Sequence, residues 1–333
     1  MKTRLLLTMA LYPWLTQAQV SFTNTPIASL DTPHVVVETG PHHRVWQRVV
    51  SDEFGHFLTN SFTELATGLN YFNQATGTWE ESQPQFQITE DGYALADKTQ
   101  HKLIVSANLN TAVAVDLQST EQRFQNHVLG LSYFDPVSGK SALLAEVKDC
   151  VGQLVAPNQI VWPDAFTDFR ADYRLTLRRD GVEADVILRE QPPSPELFGL
   201  SAQTAQLQVL TEFLNPPTPK AATPAVPAST NGVLNSFLVG PNLADEQLSF
   251  GSMTFERGRA FSLDESASAG DGLSEPEAPV GKSWQKLQGP NGELRDFLIE
   301  SVNYFSISPQ LERFPQPANR QASNHKPKSR RWP

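Results

Sequence analysis

The stretch WPDAFTDFRAD, residues 162–172, spaces Asp164, Asp168 and Asp172 four apart among Trp162, Phe166 and Phe169. Two carboxyls flanking a glycosidic bond, one kept protonated and one ionised, are what sugar hydrolysis requires, and neighbouring rings would stack on a sugar face. Asp164, Asp168 and Asp172 are therefore the candidate catalytic residues of a carbohydrate-active enzyme. The competing reading, and the better supported one, is a loop whose aspartates close Asx turns on the way into a strand. Immediately downstream, FRADYRLTLRRDGVEADVILRE (169–190) packs five carboxylates and five arginines into 22 residues. Register decides what they are for. A two-residue turn at Asp180-Gly181 sets Arg178 opposite Glu183, Leu177 opposite Ala184, Leu175 opposite Val186, Tyr173 opposite Leu188 and Asp172 opposite Arg189. The apolar residues then share one face, with Tyr173, Leu175, Val186 and Leu188 expected to be buried, and the charges pair across the other face, which reads as the wet side of a sheet rather than an acid cluster.

Other chemistries fare worse. Six of the seven histidines precede residue 130, but His42 and His43 are adjacent and would point to opposite faces of a strand, so one metal ion is poorly served. A site combining His34, His42, His56 and distant acids is the metal alternative; solvated or core histidines are the expectation. Both GKS triplets lack the glycine five positions earlier that a phosphate loop needs: Phe134 and Pro276 stand there. No G-x-S-x-G elbow occurs, which leaves a serine hydrolase unsupported. Cys150, the single cysteine, follows the strand-like SALLAEV without a neighbouring base, so a shielded structural thiol is expected. No motif calls for a cofactor or a metal.

The elements that must position these residues are strands. Short apolar runs alternate with turn residues every eight to twelve positions, the pattern of an antiparallel all-β sandwich or supersandwich of many hairpin-linked strands. The expected strands cover 34–38, 44–50, 63–72, 78–88, 93–97, 101–106, 111–117, 126–134, 141–148, 153–161, 206–214, 236–240, 247–255, 259–263, 283–287 and 294–302, besides the charged hairpin. YFNQATGTW (71–79) and YFDPVSGKS (133–141) share one turn chemistry, with Gly77 and Gly139 suited to a left-handed closing position.

The 333 residues begin MKTRLLLTMALYPWLTQAQV, where Lys2 and Arg4 precede an apolar run from Leu5 to Leu15 and small residues reach Ala18. Residues 1–18 are accordingly expected to be a secretory signal cleaved near Ala18, with the protein working outside the cytoplasm. Residues 19–214 form the expected main sandwich domain. The proline-rich NPPTPKAATPAVPASTNG (215–232) is a linker or surface loop, and 233–308 is a smaller β unit docked on the first. From Pro309 to Pro333 a basic, proline-rich tail is expected to be disordered. Formal net charge is −10, and without Lys2 and Arg4 there are 24 basic against 36 acidic side chains, which disfavours nucleic acid and anionic lipid as partners. No segment after the signal approaches a membrane span.

ELATGLNYF, HVLGLSYFDPVSGKSALLAEVKDCVGQLVAPNQIVWPDAFTD, DVILREQPPSPELFGL and LTEFLNPPTP together resemble an uncharacterised secreted bacterial β-rich module, of the kind found at the N-terminal region of large extracellular proteins with Rhs-type repeats. The resemblance spans most of residues 35–302 and brings no catalytic residues with it. What it implies is a secreted, non-enzymatic module that binds or presents something outside the cell, with a carbohydrate or a cell-surface protein as partner.

Overall fold

The computed structural model describes residues 32–52, 54–222, 246–263, 278–289 and 291–316. The expected signal segment, the candidate strand 236–240 and residues 317–333 lie outside the described residues. The chain divides into two compact units, one made of Val45–Thr63 with the chain up to Glu38, the other of Thr39–Arg44 and everything from Glu64 onward.

In chain order the strands are β1 Val35–Thr39, β2 His43–Ser51, β3 Phe57–Leu65, β4 Asn70–Asn73, β5 Thr78–Glu81, β6 Gln87–Ile88, β7 Ala94–Ala96, β8 Lys102–Val105, β9 Val115–Gln118, β10 Arg123–Asp135 and β11 Lys140–Glu146. They continue with β12 Gln153–Ala156, β13 Gln159–Trp162, β14 Ala171–Leu177, β15 Val182–Leu188, β16 Gln206–Leu214, β17 Lys220–Ala222, β18 Gln247–Phe250, β19 Met253–Phe255, β20 Gly258–Ala260, β21 Ala278–Gln288 and β22 Leu294–Asn303. Helix α1, Tyr304–Leu311, follows β22. The protein is all-β and antiparallel, as the strand pattern implies. No helix among the described residues is long and apolar enough to cross a membrane.

The largest sheet has ten strands in the order β20-β21-β22-β16-β10-β9-β8-β7-β6, with β11 also paired to β10. A four-stranded sheet runs β12-β13-β14-β15, and smaller sheets are β1-β2-β3, β17-β18-β19 and the hairpin β4-β5. The main core draws Leu103, Val105, Leu131, Tyr133, Leu207 and Val302 from the large sheet and Ile160, Trp162, Tyr173, Leu175 and Leu177 from the four-stranded one. Each fully buried large side chain of this kind contributes about 1.5–3 kcal/mol. Trp162 keeps its indole N–H satisfied at depth by donating to the Ala107 carbonyl at 3.0 Å. A second cluster joins Phe124 and Phe213 of the large sheet to Leu248 and Phe250 of β18, with the Phe124 and Phe250 rings edge to face at 4.9 Å.

Local turn chemistry accounts for the hairpins. Gly77 and Gly139 both sit in the left-handed region, at φ 69° and 67°, and each donates its N–H to the carbonyl that opens its loop, Asn73 and Asp135, at 2.8 Å. This is the position where only glycine turns back without strain.

Several expectations need correcting. The charged hairpin closes on Arg179-Asp180, because Arg178 N–H bonds the Gly181 carbonyl at 2.8 Å and no residue of the turn has positive φ. Gly181 occupies the fourth position of the turn rather than its centre. The register is therefore Leu177 opposite Val182, Leu175 opposite Ala184 and Tyr173 opposite Val186. That slip is two residues, so each side chain keeps its face. Tyr173 and Leu175 are buried as expected, whereas Val186 and Leu188 are only half-buried, packing at the core's margin. The span 153–161 is split into β12 and β13 at Pro157-Asn158, and 247–255 is likewise a hairpin, β18-β19. The expected strand 63–72 is replaced by the end of β3 and by β4. Within the proline-rich stretch, Lys220–Ala222 forms β17 against β18.

Residues 309–316 are ordered structure rather than tail. Asn303 caps α1 through its side chain, accepting from Ser306 N–H at 3.3 Å, and Tyr304, Ile307 and Leu311 bury one face. Pro309 cannot donate to the Phe305 carbonyl, and the Ser308 hydroxyl donates to it instead at 3.0 Å.

Candidate functional site

The strand pairings put alternate side chains of β10, β16, β22 and β21 on opposite faces of the large sheet. One face carries Leu131, Tyr133, Leu207 and Val302 into the main core. The other carries Ser132 opposite Gln208, Gln208 opposite Ser301, Leu210 opposite Ile299 and Ile299 opposite Ser283. A cavity of about 240 Å³ lies along this second face. Its apolar lining is Leu129, Phe134, Leu143, Leu210, Leu287 and Ile299, and its polar lining is Ser132, Ser141, Gln208 and Gln285. Backbone flatness at Gly130 helps to shape it, since a Cβ there would overlap the Ala145 carbonyl oxygen of β11.

Among the described residues no charged side chain lines the cavity. The polar groups on its floor are already linked: Ser132 Oγ donates to Gln208 Oε1 at 3.4 Å, and Gln208 Nε2 donates to Ser301 Oγ at 3.0 Å. Each still has donor or acceptor capacity beyond those bonds. The arrangement can orient a neutral ligand through hydrogen bonds while burying its apolar side on leucine and isoleucine.

On the same face by register, buried Glu212 of β16 pairs directly across from His127 of β10, whose Nε2 lies 2.9 Å from Glu212 Oε2. Arg295 of β22 forks onto both Glu212 oxygens and stacks over Phe297, 5.6 Å from its centroid. A guanidinium fork and an imidazole on one carboxylate tie three strands together in register. Sequence reasoning passed over these residues and those of the cavity. The available signal was a His in β10 and a Glu in β16, but the partners are 85 positions apart.

The three aspartates singled out by spacing hold loop geometry. Asp172 is buried, accepting the Asp164 N–H at 2.8 Å and the Arg189 Nε–H at 2.7 Å. Asp164, with φ 48°, is paired to Lys148 at 2.7 Å. Asp168, with φ 65°, is exposed and accepts from the Thr167 hydroxyl at 2.7 Å. Asp164 and Asp172 are thus brought together, but through a backbone N–H, and none of the three lines the cavity. Trp162, Phe166 and Phe169 are fully buried in the core and present no ring to a ligand.

The histidines of the metal alternative have separate occupations. His34 packs edge-on to Phe62 at 5.1 Å, His42 Nδ1 accepts the Gly68 N–H at 3.2 Å, and His56 pairs with Asp52 at 2.9 Å. Among the described residues no three His, Cys, Asp or Glu side chains are grouped to hold a metal ion. Cys150 is a free, half-buried thiol whose pKa burial raises.

Two further ion pairs stand apart, one on the core-facing side of the large sheet and one on the hairpin face opposite Tyr173 and Leu175. Lys282 of β21 pairs with Glu300 of β22 at 3.4 Å, and Arg174 of β14 with Asp185 of β15 at 2.9 Å. Burial pushes both carboxyls above their ordinary range, with Lys282 and Arg174 opposing the shift and Asp185 adding to that of Glu300. Burial first, and then the nearby Glu300 and Asp185 charges, also push up the phenol of Tyr173. Protein-family models, characterised proteins and solved structures were all compared with this chain, and none of them matches it.

Proposed function

We propose that this protein is a secreted, non-enzymatic β module that binds a neutral carbohydrate residue in the uncharged cavity on the open face of its large sheet. The observation that carries the reading is the cavity's lining: in a chain of net charge −10, every described side chain around it is uncharged, mostly apolar with four hydroxyl or amide groups among them. A sugar ring has that same division, with an apolar face and a rim of hydroxyls. At about 240 Å³ the cavity is below the ~300–1,000 Å³ of drug-sized sites, which suits a single ring rather than a long chain. A non-enzymatic role is supported by the commitments of the acids. Asp172 is engaged by Arg189 and a backbone N–H, Asp164 by Lys148, and Glu212 by Arg295 and His127. Export is supported by the leader-like composition of residues 1–18, and an extracellular setting by the resemblance to secreted modules with Rhs-type repeats.

The test is calorimetric titration of the full chain with neutral and uronic-acid oligosaccharides, with product analysis of the same mixtures. Neutral glycans should bind, their anionic counterparts should not, and Leu210→Trp should abolish binding by filling the cavity. Equal binding of the anionic series would remove the argument from the uncharged lining, and release of shortened glycans would replace the binding module with an enzyme.

A further inference from the structure

The sheet β1-β2-β3 has no share in either hydrophobic cluster. Val35, Val36, Val37, Val49, Phe54, Phe57, Leu58, Phe62 and Leu65 all stand exposed on it or on its connecting turn, Phe57 and Leu65 at 75 %. They are divided between the two faces of the sheet, and neither hydrophobic cluster packs over any of them. β3 is the outer strand of that sheet, nine residues long, and every residue in it except Glu64 is exposed. It contains no proline, no lysine and, apart from Glu64 near its end, no charge. These are the devices by which exposed edges normally avoid pairing with other chains, and β3 has almost none of them.

Which partner fits is written in the strand. On one face the residues run Phe57, Thr59, Ser61, Thr63, Leu65, which is symmetrical in chemical type about Ser61. An interface built on a two-fold axis needs that kind of self-complementarity, because each residue meets its own mirror position. Antiparallel pairing of two β3 strands about Ser61 places Phe57 against the second copy's Leu65, Thr59 against its Thr63, and the two Ser61 side chains against each other. Aromatic–aliphatic and Thr–Thr pairs are favourable cross-strand neighbours. On the opposite face Glu64 meets Leu58 and Asn60 meets Phe62, so no like charges are opposed, and Glu64 keeps Arg44 of its own chain at 3.8 Å.

We propose that two copies of this chain associate by pairing their β3 edges antiparallel about Ser61, making one six-stranded sheet from two three-stranded ones. The test is sedimentation velocity on the full chain over a range of concentrations, where a species of twice the 36.9 kDa chain mass is expected to grow with concentration. Ser61→Lys and Ser61→Glu each bring two like charges together on the axis, and each alone should weaken association at least tenfold. Because Ser61 is exposed, neither should shift the unfolding of the rest of the molecule. An equimolar mixture of the two variants should recover the dimer, since lysine then faces glutamate. A wild-type chain that stays monomeric at every concentration, a lysine variant as dimeric as wild type, or a mixture that fails to recover would each overturn the proposal.

Discussion

Asp172 stands on an exposed-looking charged face in the sequence and is nevertheless buried, holding Arg189 on one oxygen and the Asp164 N–H on the other. Removing this buried acceptor strands the Asp164 N–H, while the half-exposed Arg189 guanidinium can turn to water, and an exposed loop carboxylate that bonds only its neighbour loses little. Asp172→Ala should therefore cost about 1–2 kcal/mol in urea unfolding, while Asp168→Asn should stay within about 0.5 kcal/mol. Catalytic aspartates would show the opposite split, with activity lost and stability kept. Cys150 is legible only in part: it is half-buried rather than fully shielded, burial still raises its pKa, and the adjacent Lys148 and Asp149 charges act in opposite directions. Alkylation of the native protein at neutral pH should be slow and should accelerate on unfolding, with Cys150→Ser destabilising by about 1 kcal/mol. Immediate native labelling would show the thiol to be accessible and ionised.

At the level of elements, periodicity located most strands and face parity survived even where register did not. The 169–190 hairpin turns one position early, and the two-residue slip leaves Tyr173, Leu175 and Leu177 facing the core. Helix α1 was hidden because Pro309 reads as a breaker, and its loss of one hydrogen bond is repaired by a serine hydroxyl that no local rule announces. Long-range charge pairing was equally silent. Lys282 and Glu300 are 18 positions apart yet directly opposed in β21 and β22. Glu300 and Asp185 have folded pKa values raised above their ordinary 4.5 and 3.8, so the stability linked to them is present at acid pH and is lost as pH rises through the raised values. Asp135 runs the other way. Hydrogen bonds led by the Ser138 hydroxyl hold it below 3.8, and its share is lost as pH falls through that lowered value. The double variant Lys282→Met/Glu300→Leu should be as stable as wild type or up to about 3 kcal/mol more so near neutrality. Its melting temperature should also fall less than that of wild type as pH rises above the ordinary carboxylate range, with pH as the only variable. A steeper fall in the variant would mean that the pair stabilises the neutral-pH fold.

At the scale of the whole molecule the candidate site was out of reach of sequence because no segment contains it. Its lining comes from positions between Leu129 and Ile299 on five strands, and the strands meet only through the order β21-β22-β16-β10-β11. The uneven distribution of burial has a dynamic consequence. Strands of the ten-stranded sheet are anchored by a core in which Leu103, Tyr133 and Trp162 have no exposed surface, whereas β1, β2 and β3 contribute to no cluster. Local opening free energies follow such differences in buried apolar contact, so amides of β1–β3 should exchange with deuterium well before those of β10, β16 and β22. Edge pairing adds a concentration term to this. Raising protein concentration should slow exchange in Phe57–Leu65 while leaving Val35–Thr39, on the far edge of the same sheet, unchanged, and Ser61→Lys should remove that concentration dependence. Uniform slowing across β1 and β3 would indicate that the faces of the sheet, rather than its β3 edge, are what a second copy covers.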